Sequence, residues 1–176
     1  MLNRETFTVE EWGNIISIPA SIGALVVTAD PSGPMGLLKE FRAIMDTMKA
    51  YVTDHAGASP LFAAIETHMN TKPSDEEEAQ LKQWAEEQQE EMKTNKPQTQ
   101  EELKQLIRER TGEVFALLRD RGAGEDDINL FRGMMVAVAE GVANASKEGG
   151  FLGFGGVRVS EAEQSVLAQI KAELGV

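Results

Sequence analysis

The amino-acid sequence predicts an all-α fold, a single-domain bundle of about seven helices over residues 1–176. Three observations predict it. Trp12 to Ala29 carries no charge, and its apolar residues Ile15, Ile18, Ile22, Leu25 and Ala29 recur at three- and four-residue steps, the helical period. Four Ser/Thr-x-x-Glu capping boxes punctuate the chain: Thr8–Glu11, Ser74–Glu77, Thr99–Glu102 and Ser160–Glu163. No segment alternates with period two over a strand's length except Gly156 to Val159, and there is no hairpin signal.

The first helix should start at the Thr8 box. Its second face, Ile16, Ala20, Gly23 and Val27, is apolar too, so it reads as a central helix enclosed by others. Pro19 removes one backbone donor and should kink it. The corner Asp30-Pro31-Ser32-Gly33-Pro34 ends it. The second helix is expected from about Met35 to His55, with Leu37, Leu38, Phe41, Ile44, Met45, Met48 and Val52 as a wide inward stripe. Ser59-Pro60 reads as an N-cap with proline at the first helical position. The third helix, about Pro60 to Met69, turns Leu61, Phe62, Ile65 and Met69 inward.

Lys72-Pro73 breaks the chain before an acidic insertion at about 74–98. Its helix, about Asp75 to Lys93, has only a thin stripe of Leu81, Trp84, Gln88 and Met92, so it should lie at the edge of the core or project from it. The fifth helix runs to about Arg121 on Leu103, Ile107, Val114, Leu117 and Leu118, with Gly122 as its C-terminal cap. The sixth spans about Glu125 to Lys147. Its row Met134, Ala137, Gly141 and Ala145 predicts a close approach of another helix. After the glycine-rich stretch Gly149 to Gly156, a seventh helix carries Val166, Leu167, Ile170 and Leu174.

Composition narrows the function classes. The net charge is −12 and the pI about 4.6, which disfavours nucleic acid, because phosphate binding needs clustered Lys and Arg. The absence of cysteine excludes disulfides, zinc–thiolate sites and thiol catalysis. It fits the cytoplasm. The Trp12–Ala29 run is of borderline length for a membrane span. Asn14, Ser17, Pro19, Ser21 and Thr28 interrupt it, and Arg4 is the only basic residue upstream of it. No membrane span is expected. A protein partner or self-association remains open.

The polar features carry little chemistry of their own. Asp30 falls at a helix C-terminus, where the macrodipole disfavours a negative charge. Either its carboxylate caps the next helix or pairs with a base such as Lys39, or Asp30, Ser32 and Glu40 supply oxygens to a cation. It is not an EF-hand: counted from Asp30, the glycine falls at position four and Glu40 at eleven. The glycine-rich stretch follows a helix, not the strand that a dinucleotide fingerprint needs. Phe151, Leu152 and Phe154 within it read as packing into the bundle or meeting a partner. His55 and His68 fall near the ends of different helices and form no ligand spacing. No enzyme is expected, since no nucleophile–base pair stands out.

Two parts of the chain share a pattern: an apolar helix rich in small residues, a polar corner, then an acidic residue opening the next helix. The first is Ala24 to Gly33 leading to Glu40. The second is Val136 to Gly149 leading to Ser160-Glu161-Ala162-Glu163. This resembles the doubled pattern of the TerB-like, tellurite-resistance type of helical protein, which places an Ala-Asp-Gly corner before a Ser/Thr-x-x-Glu helix start. Here Pro31 and Pro34 replace that corner, and Gly149–Gly156 separates Glu148 from its helix. The resemblance implies an all-helical pseudo-repeat and an association with metal and stress responses. It also implies a divalent-cation site, for calcium or magnesium, at Asp30, Glu40, Glu148 and Glu163. The alternative is a metal-free interaction scaffold using the acidic helix or the glycine-rich loop.

Overall fold

The structure, a computed structural model, describes residues 2–30, 33–146 and 159–176. Among the described residues there are seven α-helices and no strand, as the sequence predicts. A 3₁₀ turn, Arg4–Thr6, comes first. The helices are α1 (Val9–Ala29), α2 (Gly33–His55), α3 (Pro60–Asn70), α4 (Asp75–Thr94), α5 (Gln100–Asp120), α6 (Glu125–Ser146) and α7 (Glu161–Leu174). The glycine-rich stretch Gly149–Gly156 lies outside the described residues.

Local hydrogen bonding explains the boundaries. At α1 and α7 the capping box closes in both directions. The Glu11 amide donates to Thr8 Oγ1 (3.2 Å) and the Thr8 amide to Glu11 Oε2 (2.9 Å). Ser160 and Glu163 repeat this at 3.2 and 2.8 Å. At α4 and α5 the hydroxyls of Ser74 and Thr99 cap as expected, but the glutamates bond elsewhere. Glu77 accepts from Arg4 (2.8 Å), and Glu102 accepts from the amide of Gln98 (2.6 Å). Ser59 caps α3 with Pro60 following it. Its hydroxyl also donates to Asp127 Oδ1, and Asp127 Oδ2 accepts from the Gly124 amide (3.1 Å). Gly122 takes φ +89° after α5, and the Ala123 amide reaches back to the Leu118 carbonyl at 2.8 Å. Only glycine enters that region without strain.

No residue of α1 from Glu11 to Val27 is exposed, which is the enclosure expected of a helix apolar all round. By length and composition α1 could cross a membrane, and 56% of its most apolar window is buried inside the protein. Pro19 sits within it without ending it. Pro19 is also where the chain passes from one compact unit to the other.

The first unit comprises Met1–Ile18 and Val52–Asn129. Trp12, Ile15, Leu61, Phe62, Leu118 and Ile128 are wholly inaccessible in it. Helix α4, within the expected acidic insertion, contributes no buried residue. It docks by the half-buried stripe Leu81, Trp84, Gln88 and Met92. A Cβ placed on Gly13 would stand 2.9 Å from three ring carbons of Trp84. The bare backbone of α1 is therefore the seat of that indole.

The second unit comprises Pro19–Tyr51 and Leu130–Val176. Its core includes Ile22, Val26, Ile44, Met134, Met135 and Val138. Glycines set its helix contacts. A Cβ on Gly23 would lie 2.7 Å from Ile44 Cγ1 and 3.0 Å from Val138 Cγ1. On α6, Gly141 faces Thr47 and Gly133 faces the Tyr51 hydroxyl. The close approach expected at Gly141 is thus a contact with α2. Three α2 side chains, Ile44, Thr47 and Tyr51, fit against three glycines, and they fix the rotation of α2 about its axis.

That rotation corrects one expectation. Ile44, Met48 and Val52 of the predicted stripe are buried. Leu37, Leu38, Phe41 and Met45 are 42, 65, 53 and 56% exposed. At about 100° per residue, Phe41, Met45 and Leu38 lie about 60°, 100° and 120° from Ile44. Leu37 shares the Ile44 side of the helix but lies two turns nearer its start. Glu40, about 40° to the other side of Ile44, is carried inward and is 1% exposed.

Candidate functional site

The four residues implied as a cation site are placed unevenly. Asp30 follows the last residue of α1 and is exposed. Glu40 is buried on α2, and Glu163 is buried (4% exposed) at the third position of α7. Glu148 lies outside the described residues, as does Ser32. Glu40 and Glu163 are the two buried carboxylates among the described residues, and both belong to the second unit. Each engages neighbouring groups, and Glu163 closes the α7 capping box through its Oε2. Among the described residues no group of three or more His, Asp or Glu side chains could hold a metal ion.

The histidines serve aromatic packing. His55, in the last turn of α2, meets Phe62 edge-on at 6.3 Å. His68, in the last turn of α3, meets Trp12 edge-on at 5.7 Å. Phe7 packs on the same indole at 5.7 Å.

Around His68 the first unit forms a groove of about 380 Å³, lined in part by Asn3, Arg4, Thr67, His68, Lys72 and Glu77. Arg4 organises it. Its Nε–H donates to Glu77 Oε1 at 2.8 Å and its Nη1–H to the Phe7 carbonyl at 2.9 Å. Its guanidinium carbon lies 5.5 Å from the Trp12 ring centroid, within cation–π range. Burial holds the His68 imidazole below its ordinary pKa. Glu77 opposes that shift and Arg4 adds to it. The imidazole is therefore neutral at neutral pH, and the arginine is already committed to a carboxylate, a carbonyl and an indole. The arrangement clamps the amino-terminal turn onto α3 and α4.

Sequence reasoning missed this clamp because Arg4 and Glu77 are 73 positions apart and no local pattern joins them. It also missed the outward apolar stripe of α2. No family model matches the chain, and neither does any curated protein or solved structure.

Proposed function

We propose that this chain is a TerB-like, non-enzymatic cytoplasmic protein of the metal and stress-response type, binding a divalent cation weakly through Glu40 and Glu163. The observation that supports the reading is the burial of these two carboxylates within one unit. Both stand at positions that the resemblance marks independently. Taking a carboxylate out of water costs several kcal/mol, and a bound cation offsets that cost. Asp30, at the exposed end of α1, would contribute attraction from the rim.

Thermal melts of chelator-treated protein test this, with calcium, magnesium, manganese or zinc added in turn. At a concentration ten times its dissociation constant, a cation that binds only the folded state stabilises by about 1.4 kcal/mol. For a chain of this size that raises the midpoint by about 3 to 6 °C. The rise should vanish in Glu40→Gln and Glu163→Gln and shrink in Asp30→Asn, each measured as a shift against its own cation-free melt. No rise at about 10 mM of any of the four cations removes the cation reading.

A second reading, a metal-free helical interaction scaffold, is favoured by the four apolar side chains that α2 leaves in solvent. The surfaces expected for it were the acidic helix and the glycine-rich loop. Apart from Glu77, which pairs with Arg4, the charges of α4 face solvent, while the loop is outside the described residues.

A further inference from the structure

The exposed face of α2 has a definite composition. Leu37, Leu38, Phe41 and Met45 form one patch on the amino-terminal half of the helix. Arg42 and Asp46, both exposed, run along one flank of it, four residues apart. Among the described residues neither is in an ion pair. Lys49 is exposed on the same flank.

We propose that this face pairs with the same face of a second copy of the chain, the two α2 helices running antiparallel about a two-fold axis near Ala43. The inference rests on the interaction reading above. Charge decides the partner and its direction. In a two-fold antiparallel pair, residue i meets residue j and j meets i, and the same flank of each helix faces its counterpart. An axis near position 43 sets Phe41 against Met45 of the second copy. It also brings Arg42 within reach of Asp46 of the second copy, and does so twice. Parallel pairing would instead carry the two charged flanks to opposite sides of the pair, where Arg42 of one copy does not meet Asp46 of the other.

Area sets the strength. An aromatic side chain such as Phe41 presents about 150–250 Å² when fully exposed, and the lower part of that range serves for leucine and methionine. The four, at their observed exposures, therefore offer roughly 400 Å² per copy. That is about half of the roughly 800 Å² per partner of a standard interface, and the charged flank supplies part of the rest. The dimer is therefore expected to be concentration-dependent. The charge of −12 on each copy opposes association at low ionic strength, so moderate salt should favour it.

Sedimentation velocity on the full chain from about 1 to 500 μM, at about 0.15 M salt, is the test. A shift from monomer to dimer across that range is expected. Phe41→Asp should abolish it without altering the helical circular dichroism, since Phe41 already faces solvent. Arg42→Asp and Asp46→Arg should each weaken it about tenfold or more, and the double exchange should restore it. A dimer that survives Phe41→Asp, or one that the double exchange does not restore, overturns the proposed pairing. A wild-type chain that is monomeric throughout overturns the second copy as the occupant. Co-sedimentation with vesicles of phosphatidylcholine and phosphatidylglycerol separates the two failures. A monomer that binds vesicles through Leu38 and Phe41 leaves the interaction reading standing with a lipid surface as occupant. A monomer that does neither removes that reading as well.

Discussion

Gly13→Ala is a substitution whose sign depends on one other residue. Gly13 lies inside α1, and alanine in a helix interior is favoured over glycine by about 1 kcal/mol. Taken alone, the change should stabilise. The new methyl, however, would stand 2.9 Å from Trp84 Cδ2, Cε2 and Cε3. Carbon atoms rest at about 3.5–4.0 Å, so the ring must lift by about 0.6 to 1.1 Å. A planar indole cannot yield at one atom, because all three contacts lie on its face. Overpacking of this kind costs about 1 to 3 kcal/mol. The net expectation is a loss of about 0 to 2 kcal/mol, up to about 8 °C in the melting midpoint for a chain of this size. In a Trp84→Ala background the obstruction is gone, and the same change should stabilise by up to about 1 kcal/mol. The four variants form a double-mutant cycle, read by urea unfolding followed by circular dichroism, with an expected coupling of about 1 to 3 kcal/mol. Equal effects of Gly13→Ala in both backgrounds would show that the indole does not rest on Gly13 and that α4 does not dock through Trp84.

Two further predictions concern the first unit. Ser59→Ala removes the cap on the Phe62 amide and the hydroxyl that donates to Asp127. It should cost about 2 to 3 kcal/mol in urea unfolding, and a loss under about 0.5 kcal/mol would deny Ser59 that double role. His68 carries a pH signature. Its folded pKa is depressed by burial, so the unfolded chain binds the proton more readily than the folded one. The contribution is fully present above about pH 6.5, the unfolded value, and declines as pH falls from there towards the folded pKa. Urea midpoints measured just below pH 6.5 should fall less steeply in His68→Gln than in the natural chain, and parallel slopes would refute the assignment. Glu11 acts in a separate, lower window. Burial raises its pKa, but the Thr8 amide and Arg121 together outweigh that and lower it, so its contribution is lost only as pH falls below about 4.5.

What was legible in the sequence follows from the range of each interaction. The caps at Thr8, Ser59, Ser74, Thr99 and Ser160 are contacts over three residues, and each hydroxyl accepts the expected amide. The glutamates of the same boxes are longer, and two of them found better partners, Glu77 in Arg4 and Glu102 in the Gln98 amide. Gly141 could be read as a point of close approach, but not that Thr47 would fill it. The inward rotation of Glu40 could not be read at all. Counting apolar residues on α2 favours the side that carries Leu37, Leu38, Phe41 and Met45. The observed side is set by glycines on α1 and α6, more than twenty positions from the α2 residues they receive. Glu163 entered as a candidate only through a resemblance, Glu40 through the polar corner after α1 as well, and neither through periodicity.

The rotation of α2 links the two functional readings. Turning the helix by about 60° to 100° would bring Phe41 and Met45 to the core-facing side and move Glu40 towards solvent. Burying a Phe or Met side chain stabilises by roughly 1.5 to 3 kcal/mol, and releasing a carboxylate from the interior adds to that. The same turn would carry Ile44 away from the core, so apolar burial sets Leu38, Phe41 and Met45 gained against Ile44 lost. The actual orientation seats Ile44, Thr47 and Tyr51 against Gly23, Gly141 and Gly133. Departures from the most stable pattern gather where a chain has something else to do. Here the departure has two sides on one helix turn: a carboxylate turned inward at Glu40, and an apolar surface turned outward at Phe41. The cation melts address the first and sedimentation the second. Because Glu40 is buried and Phe41 faces solvent, Glu40→Gln should leave any dimer intact and Phe41→Asp should leave any cation response intact.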